Sequence, residues 1–273
     1  MTEQRPGGSA GSDHGSTEQG QGHEPGSAGY PVEEPAPRGV GTLRTVALDV
    51  PDLQAAVTFW KALTGGTSLP DEDDWDWSAL VTPDGWRIAF QLAPDLVAPQ
   101  WPGQSYPQQA HLDLYVPDVA EASARATSLG AGVLQENKQW TTLADVAGHP
   151  FDLCLKKDAE GVSVMGVTFD CADASALARF WSALLDVPVT YDADGVAMLG
   201  GPRPVLFQTV ADYNPPRWPD PAHPQQLHLD VQVPDLEAGE TAALAVGATR
   251  LPGEGDGFRV FADPAGHPFC LVL

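Results

Sequence analysis

Cysteine, basic residues and long apolar runs are all scarce in this 273-residue chain. Its three cysteines, Cys154, Cys171 and Cys270, stand apart with no CxxC spacing. That argues against a disulfide framework and a structural zinc site, and it suits a reducing compartment. Lysine and arginine number 14 against 37 aspartates and glutamates, for a formal net charge of −23. A chain this acidic, with no basic cluster, repels nucleic-acid phosphates and anionic lipid surfaces. No run approaches the roughly 18 apolar residues of a membrane span. The N-terminus has no basic stretch leading into an apolar one, so no secretory signal is expected. These absences together predict a cytoplasmic protein, and the acidity reads as a well-hydrated surface.

Large apolar side chains are also nearly missing from residues 1–40, which are mostly Gly, Ser, Pro, Glu and Gln. Such a segment buries too little surface to offset the entropy of ordering it, so a disordered tail is expected there. His14 and His23 in that tail have no partner at ligand spacing.

From Leu43 onward the hydrophobic content, 42% over the whole chain, is ample for packed cores. Leu43–Val50 reads as a strand. Asp52 is the expected N-cap of a helix that sets Ala56, Phe59, Trp60 and Leu63 on one face and ends at Gly65-Gly66. A hairpin follows, turning at Pro83-Asp84-Gly85. After a proline-rich loop carrying Trp101 comes the strand of His111. Asp118 and Glu121 then form a capping box for a second helix ending at Gly130. Strands near Val133 and Leu143, the turn Ala147-Gly148-His149-Pro150 and the strand Phe151–Leu155 complete the pattern. The order is β, α, then several β, twice.

After a short charged linker the chain repeats itself. Gln108-Gln109-Ala110-His111-Leu112-Asp113 returns as Gln225-Gln226-Leu227-His228-Leu229-Asp230. Phe59-Trp60 returns as Phe180-Trp181, Trp101 as Trp218, and the Asp145–Phe151 turn as Asp263–Phe269. Recurrence at a near-constant offset, loops included, predicts tandem domains at 43–156 and 163–273. Each holds two βαβββ-like modules in an α+β fold. In a strand, residues i and i+2 share a face. His111 therefore points with Asp113, and His228 with Asp230. Either aspartate could orient its imidazole for general-base work near neutral pH, or each pair could be a polar pair in a sheet. His149 and His267 sit in tight turns and read as structural. Trp60 and Trp181 read as core. Trp101 and Trp218 fit either a lid that contacts an apolar ligand or a clamp between modules.

These motifs, in order and twice over, resemble the glyoxalase / bleomycin-resistance / dioxygenase superfamily, also called vicinal-oxygen-chelate proteins. The resemblance implies paired βαβββ modules whose curved sheets form a cup for a small organic molecule. It also implies that the halves pack as an intrachain pseudo-dimer. In metal-dependent members, ligands lie on the first and last strands of each module. The matching positions are Thr45, Gln91, His111 and Asp152 in the first half, and Gly166, Gln208, His228 and Cys270 in the second. His111, Gln91 and Asp152 are then the candidate ligands for a divalent metal ion. Glutamine at 91 and 208, where glyoxalase I has a carboxylate, argues against strict glyoxalase I activity. Three functions stay open: a glyoxalase-like lyase or dioxygenase-related enzyme, a non-catalytic binder of the drug-resistance kind, and a structural module with plugged cups. Gln91, Gln208, Trp101 and Trp218 are the expected ligand-binding residues.

Overall fold

A computed structural model describes residues 39–70 and 74–273. The tail expected at 1–40 thus lies almost wholly outside the described residues, and His14 and His23 lie outside them too. The first module runs β1 (Thr42–Val50), α1 (Leu53–Thr64), β2 (Thr67–Ser68), β3 (Trp77–Val81) and β4 (Arg87–Leu92). The second is β5 (Ala110–Val116), α2 (Val119–Ser128), β6 (Gly132–Glu136), β7 (Trp140–Ala144) and β8 (Pro150–Leu155). The third is β9 (Ser163–Cys171), α3 (Ala174–Leu185), β10 (Val189–Ala193), β11 (Val196–Leu199) and β12 (Val205–Thr209). The fourth is β13 (Leu227–Gln232), α4 (Leu236–Ala245), β14 (Thr249–Gly255), β15 (Phe258–Ala262) and β16 (Pro268–Val272).

Local chemistry sets the helix ends as the sequence predicts. Asp52 accepts from the Ala55 N–H at 3.0 Å and Asp118 from Glu121 at 3.0 Å. Asp173 and Asp235 cap α3 and α4 in the same way. Each occupies donors that a helix start leaves bare. Gly65 closes α1 at φ 73°, a conformation that glycine adopts without a Cβ penalty.

The modules pair two by two into two eight-stranded sheets. The order is β14-β15-β16-β13-β1-β4-β3-β2 in one and β10-β11-β12-β9-β5-β8-β7-β6 in the other. The sequence predicts pairing of neighbouring modules within each half, and the structure corrects this. β1 runs antiparallel to β13 and β5 to β9, so module one pairs with module four and module two with module three.

The halves cohere differently, through the helices. Trp60 of α1 packs edge-on against Phe151 of β8, ring centroids 5.4 Å apart, and Trp181 of α3 does the same on Phe269 of β16 at 5.3 Å. Their indole N–H groups donate to Asp145 at 2.9 Å and Asp263 at 3.0 Å. Asp145 Oδ1 also accepts from the Ala147 and His149 amides, and Asp263 Oδ1 from those of Ala265 and His267. The His149 ring reaches the Asp49 carbonyl at 2.7 Å, and His267 Nδ1 lies 3.0 Å from Asp263. Both turn histidines are buried parts of this framework. One continuous apolar core, running from Val46 and Leu48 to Leu112, Leu114, Val167 and Leu229, lies on these faces of the sheets.

Candidate functional site

Alternation along the strands puts the other residues on the opposite faces, the two cups. Cross-half pairing decides what meets in each. In the first sheet, Ala47 of β1 stands opposite His228, and Thr45 opposite Asp230. Asp49 is registered with Gln91 of β4, and Asp230 with Cys270 of β16. In the second sheet, His111 stands opposite Thr168 and Asp113 opposite Gly166. Asp113 is registered with Asp152, and Asp170 with Gln208. The expected metal set is therefore corrected. His111 and Asp152 share a cup, but Gln91 lies in the other sheet, with His228. Gln208 takes its place beside His111. The side chains facing the histidines across the strand pairs are Ala47 and Thr168, not the Thr45 and Gly166 that the resemblance aligned.

The first cup is filled. Ala47, Ala79 and Ala89 form a floor of small side chains, and Trp77 and Leu69 pack onto it. The Trp77 ring lies 6.3 Å from that of His228. Gln225 Nε2 donates to Asp49 Oδ1 at 2.9 Å and lies 3.0 Å from His228 Nδ1. Nδ1 is thereby the acceptor, which leaves Nε2 as the ring's donor toward Asp230, 3.5 Å away. Burial pulls the His228 pKa down, but Asp230 and Asp49 outweigh it and the net shift is upward. Cys270 completes a potential three-donor group. Burial, with Asp230 and Asp49 nearby, pushes its thiol well above the usual range.

The second cup is left unsatisfied. Thr168 at the floor donates to Asp113 Oδ2. Asp113 Oδ1 stands 3.5 Å and Asp152 Oδ2 3.9 Å from His111 Nε2. Gln108, the counterpart of Gln225, bonds both Asp170 oxygens, at 3.2 and 3.3 Å, while Gln208 donates to Asp170 at 2.6 Å. Neither amide reaches the His111 ring. His111 Nδ1 and Asp152 Oδ1 are buried and lack a hydrogen-bond partner. An unmet buried polar atom costs roughly 1–3 kcal/mol, so two in one cup call for an explanation.

Electrostatics sharpens the contrast. Burial alone would depress the His111 pKa, but Asp113, Asp152 and Asp170 together raise it to about 9. The imidazole is then the acid form at neutral pH, which does not fit the general-base role considered from sequence. Burial raises the Asp152 and Asp170 carboxyls, although His111 pulls both back. A lift from 6.5 to about 9 on a fully buried ring corresponds to on the order of 3 kcal/mol. The folded-state pKa lies above the unfolded one. The stabilisation is therefore complete below pH 6.5 and fades as pH rises through about 9. Thermal unfolding of the wild type between pH 6 and 10 should show this loss, and His111→Gln should flatten it. An unchanged slope in the variant would contradict the assignment.

His111, Asp113 and Asp152 form a three-donor group, with ligand atoms all within 4.8 Å of one another. One imidazole and two carboxylates, one with a spare oxygen, fit a divalent ion of borderline or hard character. Asp113 is the member missed from sequence. Its i+2 spacing from His111 marks it in the sequence only as a partner for the ring.

The loops holding Trp101 and Trp218 meet each other. Gln226 takes the Gln109 amide at 3.1 Å and donates to the Pro107 carbonyl at 2.8 Å. Tyr106 stacks on His223 with centroids 5.9 Å apart. Trp101 and Trp218 are half-buried, and the Trp218 ring borders Gly253 of β14.

Comparison with known proteins agrees with this architecture. The chain resembles a glyoxalase I mutant from Zea mays at 14% identity, covering 85% of this chain and 94% of that one, with a TM-score of 0.61. A putative dioxygenase from Bacillus subtilis subsp. subtilis str. 168 is similar at 10% identity, covering 86% of each chain, with a TM-score of 0.59. At such identities the likeness is one of fold. No curated protein matches the sequence. The profile of the glyoxalase-like domain matches residues 45–154 and again 166–272; with two copies spanning nearly all of the described residues, the chain belongs to the glyoxalase-like domain family.

Proposed function

We propose that the protein binds a small organic molecule in the cup of the second sheet, against His111, Asp113 and Asp152, and that the first cup is structural. The observation that carries this reading is the difference between the two histidines. His228 Nδ1 is met by Gln225 beneath Trp77, whereas His111 Nδ1 and Asp152 Oδ1 are buried without partners. A duplicated site that stays unsatisfied in only one copy suits a copy that meets a ligand. Small-molecule hits from a fragment screen by thermal shift should vanish in His111→Ala and persist in His228→Ala. Hits that persist in His111→Ala and vanish in His228→Ala would reverse the assignment.

A second reading, an enzyme of the lyase or dioxygenase-related kind, is favoured by the three-donor group in the same cup. His111, Asp113 and Asp152 would hold a divalent ion there, and the ion would supply a Lewis acid. Elemental analysis of purified protein, with one equivalent of metal lost in His111→Ala and kept in His228→Ala, is the result that reading requires.

A further inference from the structure

The second cup changes character along its strands. Two residues beyond Asp113 and Asp152 on the same face stand Tyr115 and Cys154, registered with each other, and Trp140 of β7 is paired with Cys154. Two residues along a strand is roughly 6.5–7 Å. An aromatic wall therefore begins one pleat above the carboxylate floor. Trp140 is 40% exposed, unusual for so large an apolar side chain on an inward-facing position. Tyr115 is half-buried.

We infer that the second cup takes an organic ammonium with an aromatic or similarly apolar body, its N–H groups on the floor and its body against Trp140 and Tyr115. The inference rests on the reading of this cup as the working site. Several observations point to a cation. Asp113 and Asp152 stand 3.5 and 3.9 Å from the one imidazole nitrogen between them, and Asp170 lies on the same face, bonded by Gln108 and Gln208. Asp152 Oδ1 is a buried acceptor without a donor. An ammonium brings up to three donors into such a site, and a carboxylate ligand would bring none. Trp140 and Tyr115 offer ring faces for the ligand's apolar body to stack on. The chain's net charge of −23 also favours approach of a cation over an anion.

The test uses two probes with one ring and opposite charge, 2-phenylethylammonium and phenylacetate, titrated into the full chain by calorimetry. The His111 imidazole resonance, identified by its loss in His111→Gln, is followed in parallel. We expect the ammonium to bind at least ten-fold tighter than the acid and to shift the His111 signal. Asp152→Asn should lower the ammonium affinity ten-fold or more without improving the acid by as much. Trp140→Ala, at a more exposed position where folding is less at risk, should weaken the ammonium several-fold. If phenylacetate binds as tightly as the ammonium while moving the His111 signal, the cup reading stands and the cation inference falls. If neither probe moves that signal, both fall.

Discussion

Residues 39–156 expressed alone should not give a stable monomer. In the intact chain β1 is bordered by β13 and β5 by β9, so each half by itself bares one long edge on each of its two central strands. Unpaired edges of this length recruit another chain. The expected product is a homodimer in which β1 of each copy meets β5 of the other, with a concentration-dependent melting temperature. Light scattering coupled to size exclusion, with melts over a hundred-fold concentration range, decides it. A monomer that melts at the temperature of the full chain, whatever its concentration, would show that each half is self-sufficient.

Asp145→Ala should be the most damaging single substitution in the first half. One buried carboxylate there takes the Trp60 indole at 2.9 Å and the amides of Ala147 and His149 at 2.8 and 2.9 Å. Removing it leaves three donors unmet beside a packed core. That costs roughly 3–5 kcal/mol, since each unsatisfied buried group costs about 1–3 and some relax. Asp145→Asn keeps the volume and part of the bonding and should lose less. Denaturant unfolding of both variants measures the difference. A loss below about 1 kcal/mol for Asp145→Ala would mean that the apolar contact of Trp60 with Phe151 holds the modules without the polar button.

Much of this fold could be read from the residues. The repeat, the helix faces with Phe59-Trp60 and Phe180-Trp181, and the aspartate caps all follow from spacing and local chemistry, which act within a few residues of the chain. The choice of partner across each sheet could not be read. β1 and β9 are near-equivalent strands, as are β5 and β13, so neighbour pairing and crossed pairing bring together the same kinds of edge. What separates them is the path of the connecting loops and the packing of helices on the shared core, and both are non-local. That one ambiguity misplaced Gln91 and Gln208. The plug of the first cup was hidden for a related reason. Ala47, Ala79 and Ala89 lie on three separate strands, and nothing in the sequence marks them as the seat of Trp77. The His111–Asp113 pair was legible because it is local, whereas its contrast with His228 depends on which way Gln108 and Gln225 reach.

Crossed pairing has a consequence for chain order. Modules one and four are neighbours, and Arg44 near the start of β1 bonds the carbonyl of Leu273 at 2.9 Å. The molecule is thus nearly a closed loop, cut where its described ends meet, while the stretch 156–162 joins the middle two modules. A rearranged gene that opens this stretch and bridges Leu273 to Val40 would preserve every strand partner. In such a permutant module three comes first and module two last.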